Sequence, residues 1–203
     1  MAKKQDLTIR RGETFKFVIR WEDRESVVYK PITELTAAAP AVVTATGHGV
    51  PDGWDVTIVS VKGMTQINAA NSPPKDKDYV RATKLSDNTL ELNTVNSAGY
   101  STYTSGGYVQ YYEPHDLTSV TARVQIKDKV GGTVLLTSEG VTPTPTITAT
   151  VNDTDMTITL EIDAADTADI TWKKGVYDVE AEDTGVVYAL MYGAVSVSDE
   201  VTT

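Results

Sequence analysis

The chain has 203 residues, a formal net charge of −10 and no cysteine. The absence of cysteine excludes a disulfide framework, a thiolate nucleophile and a cysteine-ligated metal or iron–sulfur site. The sequence contains no stretch near the ~18 apolar residues that span a membrane, and its N-terminus has no apolar signal core. We therefore expect a protein that is synthesised and folded in a reducing cytoplasm and has no membrane partner.

Acidic residues are concentrated in the last third of the chain. Residues 137–203 contain two Lys or Arg and thirteen Asp or Glu, whereas residues 1–34 contain eight and six. The acidic segment repels phosphates and the basic residues are not clustered, so we expect no nucleic-acid partner. The acidic face is typical of a solubilising surface, and its alternative role is a contact with another protein copy. The candidate residues for that contact are Asp178, Glu180 and Asp183.

Period-two alternation predicts β-strands in both terminal parts of the chain. Phe15, Phe17 and Ile19 alternate with charged and polar residues, as expected of a half-buried strand. Between the terminal parts, residues 37–112 contain short strand candidates separated by Gly- and Pro-rich turns. These candidates predict a small inserted β-barrel, and they are residues 41–46, 55–61, 79–84, 89–95 and 107–112.

After the central segment the same alternation continues. It predicts strands over residues 120–126 and 156–162, a hairpin of 176–181 with 186–192, and a last strand over 194–197. A short helix is predicted after Asp163, which would be its N-cap residue. Trp172 and Tyr177 are expected in the core. The predicted fold class is all-β, a discontinuous sandwich with an inserted barrel.

The sequence offers no set of residues that predicts catalysis or metal binding. The two histidines lack a nearby acid that would orient them, which favours a turn or surface role. Three aspartates spaced along the short helix favour capping and solubility over calcium binding. Gly47 and Gly49 are not followed by the helix of a phosphate-binding loop. We therefore expect no enzyme activity and no cofactor; the residues considered are His48, His115, Asp163, Asp166 and Asp169.

Tyrosines are frequent at the end of the central segment, at positions 100, 103, 108, 111 and 112. Strand packing is the ordinary explanation for such a group. Tyrosine also combines apolar area with a polar tip, which suits protein contacts and sugar stacking. Tyr100, Tyr103, Tyr108 and Trp54 are the candidate contact residues in this part of the chain.

Residues 41–68 resemble a small β-barrel cassette of tailed-bacteriophage virion proteins, which is similar to the FCCH domain of ubiquitin-activating enzymes. The resemblance includes Thr44-Ala-Thr-Gly-His-Gly49, and it continues in residues 88–92 and 102–107. The adenylation motifs and catalytic cysteine of those enzymes are absent from the sequence. The resemblance therefore implies a fold and no ubiquitin chemistry.

Residues 164–180, with Gly185-Val-Val and residues 192–202, resemble the closing half of an Ig-like sandwich. Such domains occur in phage tail, collar and baseplate proteins, including the N-terminal domains of baseplate upper proteins. The resemblance implies an Ig-like sandwich formed by residues 1–36 and 113–203, interrupted by an FCCH-like barrel over residues 37–112.

Together the resemblances imply a non-enzymatic structural component of a tailed-phage particle, at the tail, collar or head–tail junction. Such an adaptor is expected in the virion, as a homo-oligomer in contact with other virion proteins. The sequence lacks a long fibrous or receptor-binding extension after the sandwich, which favours an adaptor or decorating subunit. The alternatives are a capsid decoration protein and a carbohydrate-binding module that uses Tyr100, Tyr103, Tyr108 and Trp54.

Overall fold

The computed structural model describes residues 2–140 and 145–199. It is all-β, as the alternation predicted. No helix in these ranges is long and apolar enough to cross a membrane. The strands are β1 (Lys3–Lys4), β2 (Leu7–Arg10), β3 (Phe15–Ile19), β4 (Glu22–Pro31), β5 (Glu34–Leu35), β6 (Ala41–Thr44), β7 (Asp55–Val59), β8 (Val80–Ser86), β9 (Thr89–Leu92), β10 (Tyr108–Pro114), β11 (Thr121–Lys127), β12 (Val134–Thr137), β13 (Thr148–Asn152), β14 (Thr157–Ile162), β15 (Lys174–Asp183) and β16 (Val186–Ser198).

Helical structure in the described ranges is limited to short segments. The α-helix α1 covers Ala164–Ala168, and two 3₁₀ turns cover Thr65–Ile67 and Asp76–Asp78. Asp163 occupies the predicted N-cap position of α1, but its side chain makes no capping hydrogen bond. The helix is instead fixed by Thr167, whose buried hydroxyl lies 2.9 Å from the carbonyl oxygen of Glu13.

The chain divides into two compact units. The first combines the residues up to Trp21 with those from Asp116 onward, and the second is Glu22–His115. The second unit begins before the predicted boundary at residue 37 because β4 belongs to its sheet. Strand β4 pairs antiparallel with β10, so that Pro31 lies opposite Tyr108 and Glu22 lies opposite Pro114.

Two sheets form the first unit. The larger has the order β1-β16-β15-β11-β12 with β2 also paired to β16, and the smaller has the order β13-β14-β3. Buried side chains from both sheets make one hydrophobic cluster, as in a β-sandwich. Tyr177 is buried in this cluster as predicted, whereas Trp172 is only partly buried against it.

The N-terminal strands complete the larger sheet by pairing in parallel with β16. Between β1 and β2 the chain passes close to β16 at Gly193, where an added Cβ would overlap the carbonyl oxygen of Gln5. That same carbonyl accepts a 2.7 Å hydrogen bond from the Tyr177 hydroxyl, and the N–H of Ala194 donates to the Asp6 carboxylate. Gly193 therefore allows the close approach that seats the N-terminal segment.

The substitution Gly193→Ala should destabilise the first unit by about 1–3 kcal/mol, because the new methyl group must displace the backbone at Gln5. Gly99→Ala is the matched control, since its Cβ would meet no atom within 4 Å. We expect the control to change the free energy of unfolding by less than about 0.5 kcal/mol in denaturant titrations. Equal effects of the two substitutions would contradict the close approach.

The second unit contains a seven-stranded sheet with the order β4-β10-β7-β8-β9-β6-β5. The prediction of an inserted barrel was wrong, because the sheet is open and no closed barrel is formed in the described ranges. Its end strands β4 and β5 are consecutive in sequence, and the connecting residues make single backbone bonds instead of a ladder. Ile32 N–H donates to Gly107 and Thr33 N–H donates to Thr44.

We expect residues 22–115 to fold as an independent unit. Because Glu22 and Pro114 are paired, a short Gly/Ser linker between Trp21 and Asp116 should replace the second unit without breaking the first. Both products should retain strand circular dichroism and unfold cooperatively. Loss of strand signal in either product would show that the two units depend on each other for folding.

Candidate interaction surfaces

Four tyrosines from three segments of the second unit meet on one face of its sheet. Tyr29 lies in β4, Tyr108 and Tyr112 lie in β10, and Tyr79 immediately precedes β8. Since side chains alternate between the faces of a strand, Tyr108 and Tyr112 lie opposite the buried side chain of Val109. We call Tyr29, Tyr79, Tyr108 and Tyr112 the tyrosine layer.

The rings of the tyrosine layer contact one another in two pairs. Tyr79 and Tyr112 are stacked with ring centroids 5.3 Å apart and planes 17° apart. Tyr29 and Tyr108 make an edge-to-face contact with centroids 6.1 Å apart. Tyr29 and Tyr108 are the more solvent-exposed pair of the layer, with 53% and 43% of their surface exposed. The layer therefore presents aromatic area to solvent beside a more buried stacked pair.

Two polar residues form the floor beneath the layer. Gln110 of β10 lies opposite Tyr29 on one side and Thr57 of β7 on the other. Gln110 is 4% and Thr57 is 1% exposed. The Gln110 side-chain amide donates a 2.8 Å hydrogen bond to the Tyr79 hydroxyl. In contrast, the Thr57 hydroxyl is buried and has no hydrogen-bond partner among the described residues.

Tyr79 lies beside Thr57 and reaches Gln110. Val80 of β8 pairs with Val56 of β7, so Tyr79 lies beside Thr57 at the start of β8. To reach Gln110 on β10, the Tyr79 side chain has to extend across β7, a distance of about two strand spacings. The hydrogen bond from Gln110 therefore places the Tyr79 hydroxyl on the same side of the sheet as Gln110, which is the neighbour of Thr57 across the β7–β10 ladder.

The surroundings of the layer contain charges that are paired with each other. The Arg24 guanidinium lies 5.3 Å from the Tyr112 ring centroid, 2.9 Å from the Asp76 carboxylate and 3.4 Å from that of Glu22.

Burial raises the pKa of Tyr79 well above its ordinary value of 10.0, and the hydrogen bond with Tyr112 acts in the same direction. The Tyr79 hydroxyl is therefore uncharged at neutral pH.

The structure separates the four predicted contact residues of this unit. Tyr108 belongs to the tyrosine layer. Tyr100 and Tyr103 are half-buried in the loop before β10, and the Tyr103 hydroxyl lies 3.0 Å from the carbonyl oxygens of Ile32 and Gly106. The prediction of a surface role for Trp54 was wrong, because this side chain is wholly buried.

Trp54 has a structural role instead. Its indole N–H donates a 2.9 Å hydrogen bond to the carbonyl oxygen of Tyr112, which ties the start of β7 to β10. The preceding turn contains Pro51 and Gly53, and turn-forming residues of this kind usually indicate a loop on the protein surface. That local signal misleads here because the tertiary structure places the large side chain inward while the backbone turn stays outside.

The larger sheet of the first unit has an outward face with graded charge. Tyr177, Val179 and Ala181 of β15 are buried, so the intervening acidic side chains point outward. Lysines occupy the other end of the same face, at the start of β15 and the end of β11. We call this set the graded face; its members are Lys127, Lys174, Asp178, Glu180, Glu182 and Tyr192.

The three predicted acidic contact residues differ in their exposure and in their hydrogen bonds to other residues of the chain. Asp178 is exposed and lies opposite Tyr192 in the β15–β16 ladder, and Tyr192 is 48% exposed. Glu180 is half-buried and accepts two hydrogen bonds from Arg123, at 2.7 and 2.8 Å. Asp183 accepts a 2.8 Å hydrogen bond from the Ser119 hydroxyl. Asp178 is therefore the most available of the three predicted acids.

His48 lies in a tight turn of the second unit, as one of the two predicted roles required, but it is buried and is not a surface residue. The flanking Gly47 and Gly49 both have positive φ, which glycine adopts without strain. The Val50 N–H donates to His48 Nδ1, so the proton of the neutral ring lies on Nε2, which donates to the Ser86 carbonyl oxygen. The ring is thus a buried hydrogen-bonding bridge between two loops.

Burial lowers the pKa of His48 below its ordinary value of 6.5, and the nearby Lys84 ammonium lowers it further. Since the pKa of His48 is lower in the folded state than in the unfolded state, the neutral ring stabilises the fold fully above pH 6.5. This contribution to the free energy of unfolding is lost as the pH falls below 6.5. The loss ends once the pH has passed the folded-state pKa. A proton on Nδ1 would also face the Val50 N–H, and two donors cannot hydrogen-bond each other.

We expect the free energy of unfolding of the second unit to fall as the pH drops below 6.5, with a slope of at most about 1.4 kcal/mol per pH unit where the unfolded-state histidine is protonated and the folded-state one is neutral. The variant His48→Gln should be less stable at pH 7.5 but should lose this slope, as measured by urea titrations between pH 4.5 and 7.5. His115→Gln is the matched control and should keep the slope. An unchanged slope in His48→Gln would rule out His48 as its source.

The remaining ionisable groups do not assemble into a metal site. Within residues 2–140 and 145–199, no three His, Asp or Glu side chains are grouped so as to hold a metal ion. Asp166 of the short helix receives weak 3.4 Å contacts from the Thr146 N–H and hydroxyl. These contacts give that aspartate a structural role between the helix and the start of β13.

No family model matches the chain, and no curated protein sequence matches it. The tyrosine layer and the graded face are therefore the features of the chain that bear on its function.

Proposed function

We propose that the chain is a non-enzymatic structural component of a tailed-phage particle, acting as an adaptor or attachment protein at the tail, collar or head–tail junction. In this role it is a homo-oligomer of the virion that also contacts other virion proteins. The resemblance of residues 41–68 and 164–180 to phage virion domains supports this assignment. An all-β chain with two compact units suits a part that holds its neighbours in place.

The graded face carries the oligomer part of the proposal. Its acids lie toward the turn between β15 and β16, and Lys127 and Lys174 lie toward the opposite end. A second copy packed face to face with its strands antiparallel brings the acidic end of each copy over the lysine end of the other. Such a two-fold contact is self-complementary, as closed homo-oligomers require.

The centre of the graded face supplies the apolar part of this contact. Tyr192 lies near the middle of the face with Ala194 on the same side of β16, and Asp178 and Lys4 lie opposite it on the two neighbouring strands. Tyrosine is enriched at interfaces because it adds apolar area and keeps a polar tip. Polar margins with an aromatic centre allow the isolated copy to remain in water before assembly.

The double variant Asp178→Asn/Glu182→Gln should weaken self-association and incorporation into particles, because it removes exposed acids of the graded face. The loss should be larger at low salt than at high salt, since screening shortens electrostatic range to about 10 Å at 0.1 M. Asp153→Asn/Asp169→Asn removes the same charge from exposed positions elsewhere in the unit and is the control. Sedimentation at several protein concentrations gives the self-association constant.

Reconstruction of purified particles tests the location. Density for the chain at the tail, collar or head–tail junction is the expected result. Density spread over the capsid lattice would identify a decoration protein instead, and absence from purified particles would overturn the structural assignment. Equal incorporation of both double variants at every salt concentration would remove the graded face from the contact.

A further inference from the structure

The unpaired hydroxyl of Thr57 needs an explanation. A buried polar atom without a partner costs about 1–3 kcal/mol, and folded proteins contain few of them. Valine has nearly the same shape as threonine and would fill this place without that cost. The hydroxyl lies directly under the tyrosine layer, next to the one other buried polar side chain of the floor, Gln110.

The Tyr79 side chain starts beside β7 and reaches Gln110, the cross-strand neighbour of Thr57. The contacts of the Tyr79 side chain include stacking on Tyr112 and a hydrogen bond with it, together with the hydrogen bond from Gln110. Movement of the Tyr79 side chain away from Gln110 frees the primary amide, which lies next to the Thr57 hydroxyl. Together these groups offer donors and acceptors close to the open rings of Tyr29 and Tyr108.

We propose that the tyrosine layer is a binding site for a neutral carbohydrate chain, with Gln110 and Thr57 as its polar floor. A sugar ring stacks its apolar C–H face on Tyr29 and Tyr108, while its hydroxyl groups hydrogen-bond with the floor. The site requires a ligand that carries both apolar faces and many hydroxyl groups, and carbohydrates combine these properties. This inference does not depend on the proposed place of the chain in a phage particle.

Charge selects a neutral ligand over an acidic one. The Arg24 guanidinium beside the layer is already paired with Asp76 and Glu22. Arg81 at the other side lies 2.9 Å from the Asp55 carboxylate. The layer therefore offers no unpaired cation among these groups to a sulfate, uronate or sialic acid, and an acidic sugar would be repelled by the chain's net charge of −10.

The test begins with binding of the intact chain to a glycan array that carries neutral hexaoses of β-glucan, α-glucan, mannan, galactan and chitin, together with acidic glycans. Binding to at least one neutral class is expected. The affinity for that hexaose, measured by calorimetry, should fall more than about tenfold in Tyr29→Ala/Tyr108→Ala. Tyr100 lies outside the layer, so the control variant Tyr100→Ala should leave the affinity unchanged.

Thr57→Val separates a binding role from a structural one. This variant should raise the melting temperature of the free protein or leave it unchanged, and it should lower glycan affinity about threefold to tenfold. Thr167→Val is the matched control, because the buried Thr167 hydroxyl is hydrogen-bonded to Glu13 and Ala164. The control should lower the melting temperature and leave glycan affinity unchanged.

Several results would overturn the proposal. They are the absence of binding to every neutral class, binding confined to acidic glycans, and an unchanged affinity in Tyr29→Ala/Tyr108→Ala. A Thr57→Val variant that binds glycan as well as the wild type would remove Thr57 from the site. Lost self-association or particle incorporation in Tyr29→Ala/Tyr108→Ala, without any glycan binding, would make the layer a protein contact.

Discussion

The antiparallel pairing of β4 with β10 is the interaction on which the organisation of this chain depends. It places Glu22 opposite Pro114, so the second unit begins and ends at neighbouring positions. The entropic cost of closing a long loop grows only slowly with its length, and a ladder that joins the ends offsets it. An entire sheet can therefore be inserted between β3 and β11 without separating the strands of the first unit.

The first unit depends in turn on its short N-terminal segment. Strands β1 and β2 join the larger sheet and β3 joins the smaller one, with Gly12 at positive φ in the turn between them. Ile9 and Ile19 thereby contribute to the shared core from opposite sheets. Residues after Asp116 cannot complete this core alone, so the first unit forms only when the two ends of the sequence meet.

The two candidate surfaces follow different physical rules. The graded face is polar and has lysines at one end and acids at the other, apart from Arg123, which is paired with Glu180. This arrangement favours a salt-sensitive contact with a neighbour of complementary charge. The tyrosine layer has its nearby charges paired and its polar groups buried, which favours an uncharged ligand. The buried Thr57 hydroxyl has no hydrogen-bond partner, and this lowers the free energy of unfolding of the second unit when no ligand is bound.

Local sequence determined the strands whose alternation reflects one buried face. Period-two patterns predicted β3, β11, β14 and the β15–β16 hairpin, and turn residues predicted the approximate bounds of β6 to β10. Strand β16 is one continuous strand, whereas two separate strands were predicted over residues 186–192 and 194–197. The short helix after Asp163 was also predicted. These features depend on which neighbouring residues alternate or turn, and that information lies within a few positions of the chain.

Tertiary structure alone decided the features that require partners distant in sequence. Strand β4 has a polar, bulged sequence without a clear period, and only pairing with β10 makes it a strand. The open order of the sheet, the burial of Trp54 and the meeting of Tyr29 and Tyr79 on the face that contains Thr57 depend on strand pairing between residues far apart. Sequence reasoning found Tyr108 because tyrosines are dense around it, but side chains that come together only across neighbouring strands leave no local pattern.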